Sequence, residues 1–363
     1  MSPDIPGSSS PSSSTPVAEP ARAAPVPHQV SAPRARTRIR IGGAAGIVAA
    51  TVLLFLVSLI VEPESVRHSS LLGMLPFAAI LAIVAVGQTL VIQQGGIDLS
   101  VPGMISLTVV IMTRYPNGDS GKVVVALLLA FGAALVAGVI TGLLVSRVGI
   151  TAIVTTLGMN ALLYGAVLQI SGGTPRTTTD ALRNFASDRV LGVPITVPIA
   201  VAVTLLVAFV VKRTVAGRRF EGVGASNTGA RAAGLVVRRY KLSAYVGATL
   251  LYCCAGVLLA GVVSTPSAFQ GDSYLLPSVA AVVLGGTSLL GGRGDVAASA
   301  IAALFLTQLD QFLLTSGVSE ALQSLVQAFA LVVGIAIYSV PWSRVRQRLT
   351  EWRSHRPGLA TQD

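Results

Sequence analysis

Gln93-Gln94-Gly95-Gly96-Ile97-Asp98-Leu99-Ser100-Val101-Pro102-Gly103 sets two glycines, a carboxylate and a proline in the middle of an apolar region. Residues 71–93 before it and 99–113 after it carry no charged side chain. A helix over 99–113 rises about 22 Å at about 1.5 Å per residue, short of a hydrocarbon core of about 30 Å. The interruption therefore lies partly at membrane depth, where irregular backbone is tolerated only if it packs within protein or lines a water-filled cavity. Ser100 or Asp98 is placed to cap the helix that follows, with Pro102 in its first turn. Carboxylates are rare at such depth, so Asp98 is also a candidate for shaping a polar pathway or gate.

The rest of the chain agrees with a lipid solvent. Of its 363 residues 52% are hydrophobic and only 11% charged, against about 45–50% and about 25% in soluble domains. Windows of about 20 residues place spans near 41–61, 71–93, 99–113, 123–145, 151–170, 195–211, 242–263, 274–290, 297–314 and 321–340. The expected fold is all-α and polytopic, with about ten transmembrane helices and broken or re-entrant segments at Gly95-Gly96 and Gly285-Gly286. The run 41–61 is too long for a signal-peptide core and fits a span. Residues 1–36, rich in Ser, Pro and Ala, read as a disordered cytoplasmic tail; 37–341 form the transmembrane domain and 342–363 a basic cytoplasmic tail.

The net charge of +11 is spread in short clusters between apolar runs and gives a topology, not a nucleic-acid surface. Arg34, Arg36, Arg38, Arg40, Arg147, the cations from Lys212 to Lys241, Arg293 and the arginines from Arg344 to Arg356 share one side of a ten-span arrangement. The other side holds Arg67, Arg114, Lys122, Arg176, Arg183 and Arg189, with most of the loop carboxylates. The positive-inside rule puts both termini in the cytoplasm. Cys253 and Cys254 are adjacent in an apolar stretch and read as small hydrophobes; His28, His68 and His355 lie in tails or a loop, and no spacing fits a metal site.

A second break, Gly285-Gly286-Thr287-Ser288-Leu289-Leu290-Gly291-Gly292-Arg293-Gly294, follows an apolar stretch too short to span alone. The two breaks share Gly-Gly-x-[Asp/Ser]-Leu, and paired interruptions are a sequence pointer to a transporter's central site. Gly95, Gly96, Asp98, Ser100, Asn160, Gly285, Gly286 and Thr287 are the candidate pathway or gate residues. The loop between the sixth and seventh spans offers Ser226 or Asn227 as a cap for a short helix that Gly234 ends. Its small residues suit close approach by another protein, or the loop is a basic segment held by lipid headgroups.

Gly95 to Ser100, Thr156-Leu157-Gly158-Met159, Ser171-Gly172-Gly173, Leu191-Gly192-Val193-Pro194, Gly224 to Leu235, and Ala280 to Leu289 with Gly291-Gly292-Arg293-Gly294 together resemble the ordered blocks of the permease subunits of ribose, xylose and galactoside ABC importers. The resemblance runs from about Leu71 to Val340. It implies ten helices per subunit, a homodimer or heterodimer with a second permease, a separate solute-binding protein and a separate ABC ATPase that uses ATP. It assigns Gly222, Gly224, Asn227, Ala230, Arg231, Ala233 and Gly234 to the loop that docks in the ATPase. Three departures bear on partner charge and on the solute: Thr228 and Gly229 stand where the family has acidic residues, Leu275 and Pro277 likewise, and Pro102-Gly103 replaces a Gly-Ser.

The chain has no G-x-x-x-x-G-K-[ST] motif; its Gly121-Lys122 is followed by valine, so no bound cofactor and no ATPase activity of its own are expected. The expected function is the membrane-spanning permease of an ABC importer that moves a monosaccharide inward across a bacterial cell membrane. The alternative solute is a branched-chain amino acid, whose permeases are related. A membrane-embedded enzyme is disfavoured because Asp98 and Asp310 are nearly the only ionisable groups within the spans.

Overall fold

The computed structural model describes residues 43–319 continuously, and then 321–323, 325, 326, 328, 329 and 332. The expected tails at 1–36 and 342–363 lie outside the described residues, as does most of the expected span at 321–340.

Helix α1 (Gly43–Val61) leads through a 3-10 turn to α2 (His68–Gln93), and the first break separates α2 from α3 (Val101–Arg114). Next come α4 (Val123–Leu143), closed by a π-turn at Leu144–Val148, and α5 (Ala152–Ser171). Amphipathic α6 (Asp180–Ser187) and a two-stranded antiparallel ladder, Arg189–Val190 with Val193–Pro194, lead into α7 (Thr196–Arg213). Two short helices, α8 (Val215–Ala225) and α9 (Asn227–Ala232), connect to α10 (Val237–Val262). The described chain then runs through α11 (Leu275–Leu284), the second break and α12 (Val296–Thr315).

Seven of these helices are long and apolar enough to cross a membrane: α1, α2, α4, α5, α7, α10 and α12. Helices α3 and α11 are apolar but short. The expectation of about ten spans thus becomes, among the described residues, seven helices of spanning length and two short ones where the breaks were read. The short ladder is the one departure from an all-helical fold there, and α6 and α8 are helices that were read as loop.

Helices α2 and α10 form the centre. Nearly every residue of α2 from Ala78 to Gln93 is buried, so it is apolar on all sides. Helix α10 packs on α4, α2 and α3, while α2 packs on α12, α10 and α7. Lipid cannot drive apolar helices together, so close approach depends on small residues. Gly138 of α4 lies against Val246 and Thr249 of α10, and Gly256 of α10 against Ile105 and Thr108 of α3.

Because direction reverses at each connection, 94–100, 144–151, 214–236 and 285–295 gather at one end of the bundle. Counting the flanking helix ends, this end carries ten of the sixteen described lysines and arginines.

Gly138→Val is expected to overpack the α4–α10 contact by about 1–3 kcal/mol and to lower the thermal unfolding midpoint in detergent. Gly132→Val, on the open face of the same helix, should lack that effect, and equal shifts would contradict the packing described.

Candidate functional site

The first break begins with a helix cap. Gly95 takes φ +77°; its N–H donates to the Ile92 carbonyl (2.9 Å) and the Gly96 N–H donates back to Val91 (3.2 Å). This is the paired 6→1 and 5→2 closure for which a left-handed glycine is favoured. The second break closes the same way: Gly286 has φ +81°, its N–H reaches the Val283 carbonyl (2.9 Å) and the Thr287 N–H reaches Val282 (3.2 Å). Gly95 therefore corresponds to Gly286 and Gly96 to Thr287. The shared Gly-Gly-x-[Asp/Ser]-Leu spacing is one residue out of the structural register, so the sequence likeness of the breaks is replaced by a likeness of cap geometry.

After the first cap the chain passes through Asp98, which is fully buried. Its Oδ1 accepts from the backbone N–H (2.8 Å) and the hydroxyl (2.6 Å) of Ser100; its Oδ2 has no protein partner. Ser100 occupies the cap position of α3 without a side-chain capping bond, because its hydroxyl is donated to Asp98. The capping comes instead from α5: Thr156 Oγ1 accepts from the Leu99 N–H (3.0 Å), and Asn160 Oδ1 accepts from the Gly103 N–H (2.8 Å). Gln88 Nε2 donates to the Asp98 carbonyl (3.3 Å), and the Tyr252 hydroxyl donates to Gln88 Oε1 (2.7 Å). Tyr245, one heptad before Tyr252 on α10, sets its hydroxyl against Gly96. The irregular backbone between α2 and α3 is thus satisfied from α2 and α5, with Tyr252 of α10 holding the Gln88 amide in place.

The two breaks meet. The Gly292 N–H donates to the Gln93 carbonyl at the end of α2 (2.8 Å). Gly224 of α8 lies against that same carbonyl and against Gly292 N, leaving no space for a Cβ. Gln94 Nε2 donates to the Phe220 carbonyl of α8 (2.8 Å). Lys212 Nζ, at the end of α7, donates to Glu221 Oε1 (2.7 Å) and to the Gly294 carbonyl (2.9 Å). Both nitrogen and oxygen of the Gln93 amide, and the Thr287 hydroxyl, are buried beside Gly294 without a protein partner. The last carbonyls of α2, the second glycine loop and α8 therefore form a single junction.

The connecting loop divides by face. Ser226 Oγ caps α9 by accepting from the Gly229 N–H (3.0 Å), and Gly234 ends it at φ +76°. Ala230 is buried with Val223 and Val237 in a small cluster that ties α8, α9 and α10 together. Gly224 points at the junction; Gly222, Asn227, Arg231, Ala233 and Gly234 are exposed. Gly285 packs on the Ala298–Ser299 backbone of α12, holding the second break to that helix.

Asp98, Ser100 and Asn160 thus form one group, and Gln93 with Thr287 a second. Sequence reasoning missed α8, whose Thr214 cap (accepting from the Gly217 N–H, 3.0 Å) was visible as a threonine before a mixed run. It also missed Tyr245 and Tyr252, whose seven-residue spacing sets both on one face of α10. Gln308 Nε2 donates to Ser58 Oγ of α1 (3.2 Å), an interhelical bond, while its Oε1 is buried without a protein partner.

Asn160→Leu removes the acceptor for the Gly103 N–H and is expected to cost about 1–3 kcal/mol, read as a lower unfolding midpoint in detergent. Gln169→Leu, exposed on the same helix, is the control and should leave it near the native value.

A family model described as branched-chain amino acid transport system / permease component matches residues 70–335. Ribose import permease protein RbsC of Escherichia coli (strain K12) is 34% identical over 297 residues, covering 80% of this chain and 92% of its own. Autoinducer 2 import system permease protein LsrC of Enterobacter sp. (strain 638) is 33% identical, covering 83% and 87%. Fructose import permease protein FruF of Bifidobacterium longum (strain NCC 2705) is 32% identical, covering 74% and 76%. No solved structure matches. The resemblance read from the ordered sequence blocks is borne out, and the chain belongs to this family of import permeases as a multi-pass membrane protein.

Proposed function

We propose that the chain is the membrane-spanning permease subunit of an ABC importer, carrying a monosaccharide, a pentose or hexose, into the cell. In this reading it has ten membrane segments, with both termini cytoplasmic. It pairs with a second permease, identical or related, and works with a separate ATPase and a solute-binding protein. It binds no cofactor and hydrolyses no ATP itself; the partner uses the ATP. The charge bias between the two ends of the bundle supports the orientation.

The convergence of both glycine breaks on α8 carries the mechanism. The exposed residues Gly222, Asn227, Arg231, Ala233 and Gly234 are the docking face. Gly224 and Ala230 point inward, to the junction and to α10. Movement of the ATPase on binding ATP displaces α8 and α9. Gly224 against the Gln93 carbonyl passes that displacement to the first break, and Gly292 passes it to the second. Gly95, Gly96, Asp98 and Ser100, with Asn160, and Gly285, Gly286 and Thr287 then act as the gate around a central polar path. The free energy for the change comes from the partner's differential affinity for ATP in the two states, not from the solute.

The relatives' names, ribose, fructose and autoinducer 2, support the sugar reading; the family's description favours the amino-acid alternative. Uptake of labelled pentoses, hexoses and branched-chain amino acids by the chain expressed with its ATPase and binding-protein genes decides between them. ATP-dependent sugar uptake is expected, and amino-acid uptake without sugar uptake would reject it. In the same assay Gly224→Val should overpack the junction by about 1–3 kcal/mol. Uptake should fall by on the order of tenfold, while the ATPase still hydrolyses ATP. Asp98→Asn keeps the acceptor for Ser100, so a folded variant with impaired uptake is expected; normal uptake would remove the carboxylate from the gate.

A further inference from the structure

Beside the first break lies a polar cavity of about 320 Å³. Its floor is the first break, Gln94 to Gly96, and its walls come from the π-turn after α4, the start of α5, α9 and the first turns of α10. Arg231, Arg238 and Lys241 all line it, and no Asp or Glu does. Among the described residues none of these three cations forms an ion pair. Ser146 Oγ, also in the lining, is shielded from solvent and has no protein partner. The flank is of opposite character: Val148, Ile153 and Val154, adjoining the lining residues on the π-turn and α5, are exposed.

A concave site with three uncompensated cations and a shielded hydroxyl calls for an anion. Exposed apolar residues adjoining the lining in sequence, Val148, Ile153 and Val154, call for an anion that carries hydrocarbon. Basic pockets between membrane helices on the cytoplasmic side meet anionic headgroups in this way. We propose that this cavity binds the phosphate headgroup of an anionic phospholipid, with the acyl chains along the exposed apolar face at the start of α5. Arg238 and Lys241, from the first turns of α10, hold the phosphate from one side. Arg231 of α9 closes it from the other, and Ser146 donates from the π-turn. The lipid bridges α9, α10 and the π-turn, bracing the docking loop against the bundle at the first break. The site rests on the membrane placement of the chain; it shares Arg231 with the proposed docking face, and the variants that test it leave Arg231 unchanged.

The test is native mass spectrometry of the purified full chain in detergent, titrated with phosphatidylglycerol or phosphatidylcholine. The wild type is expected to retain one phosphatidylglycerol under conditions that strip phosphatidylcholine. Arg238→Gln/Lys241→Gln should weaken that retention by about tenfold or more, while Arg238→Lys/Lys241→Arg restores it. Arg218→Gln/Arg219→Gln, on the exposed face of α8, should leave it unchanged. Three results would each overturn the site: equal retention in the wild type and Arg238→Gln/Lys241→Gln, an equal loss with the α8 pair, or displacement of the lipid by inorganic phosphate. The measurement needs no ATPase and no solute, so its failure leaves the importer reading standing, and failure of the uptake assay leaves this site standing.

Discussion

A helix that ends in the buried interior of a bundle, as α2 does at Gln93, leaves its last carbonyls without donors unless the protein supplies them. In this chain the carbonyl of Gln93, at the end of α2, takes its donor from Gly292, almost two hundred positions along the sequence. That one bond (2.8 Å) imposes much of what surrounds it. Gly292 has φ +75° and leaves no space for a Cβ beside Ala225. The same carbonyl leaves none at Gly224, so α8 must bring a glycine to it. The second glycine loop is therefore not an independent break but the partner of the first.

The same constraint explains the web around Asp98. The irregular backbone between α2 and α3, and the first turn of α3, need partners: Thr156 and Asn160 of α5 accept from the Leu99 and Gly103 N–H groups, and Gln88 of α2 donates to the Asp98 carbonyl. Each is a polar residue on an otherwise apolar helix, fixed by the backbone group it satisfies. Asn160 is the clearest case: as an intramembrane amide it reads as a pathway group, and the geometry gives it a capping duty first. Asp98 combines both characters, with one oxygen committed to Ser100 and the other buried without a partner.

Much of this was legible in the sequence. Apolar windows locate the seven helices of spanning length to within a few residues, because lipid imposes length and composition together. The breaks at Gly95 and Gly286 were legible because glycine is the residue that takes positive φ at a helix end. What was not legible is which polar groups answer which. The pairing of Gln93 with Gly292 depends on three-dimensional proximity that no local pattern encodes. The repeat in Gly-Gly-x-[Asp/Ser]-Leu pointed to the right elements in the wrong register, since composition repeats where cap geometry is shifted by one. Helix α8 was hidden because its run Val215–Ala225 mixes three glycines with charged residues, and its helicity comes from the Thr214 cap and from packing on α7.

Cryo-electron microscopy of the assembled importer, with and without ATP, tests the central claim most directly. The Gly292–Gln93 and Gln94–Phe220 hydrogen bonds are expected to persist in both states while α8 and the two breaks shift together relative to α1 and α5. An ATP-bound structure in which α8 separates from the breaks, with those bonds broken and the breaks unmoved, would contradict it.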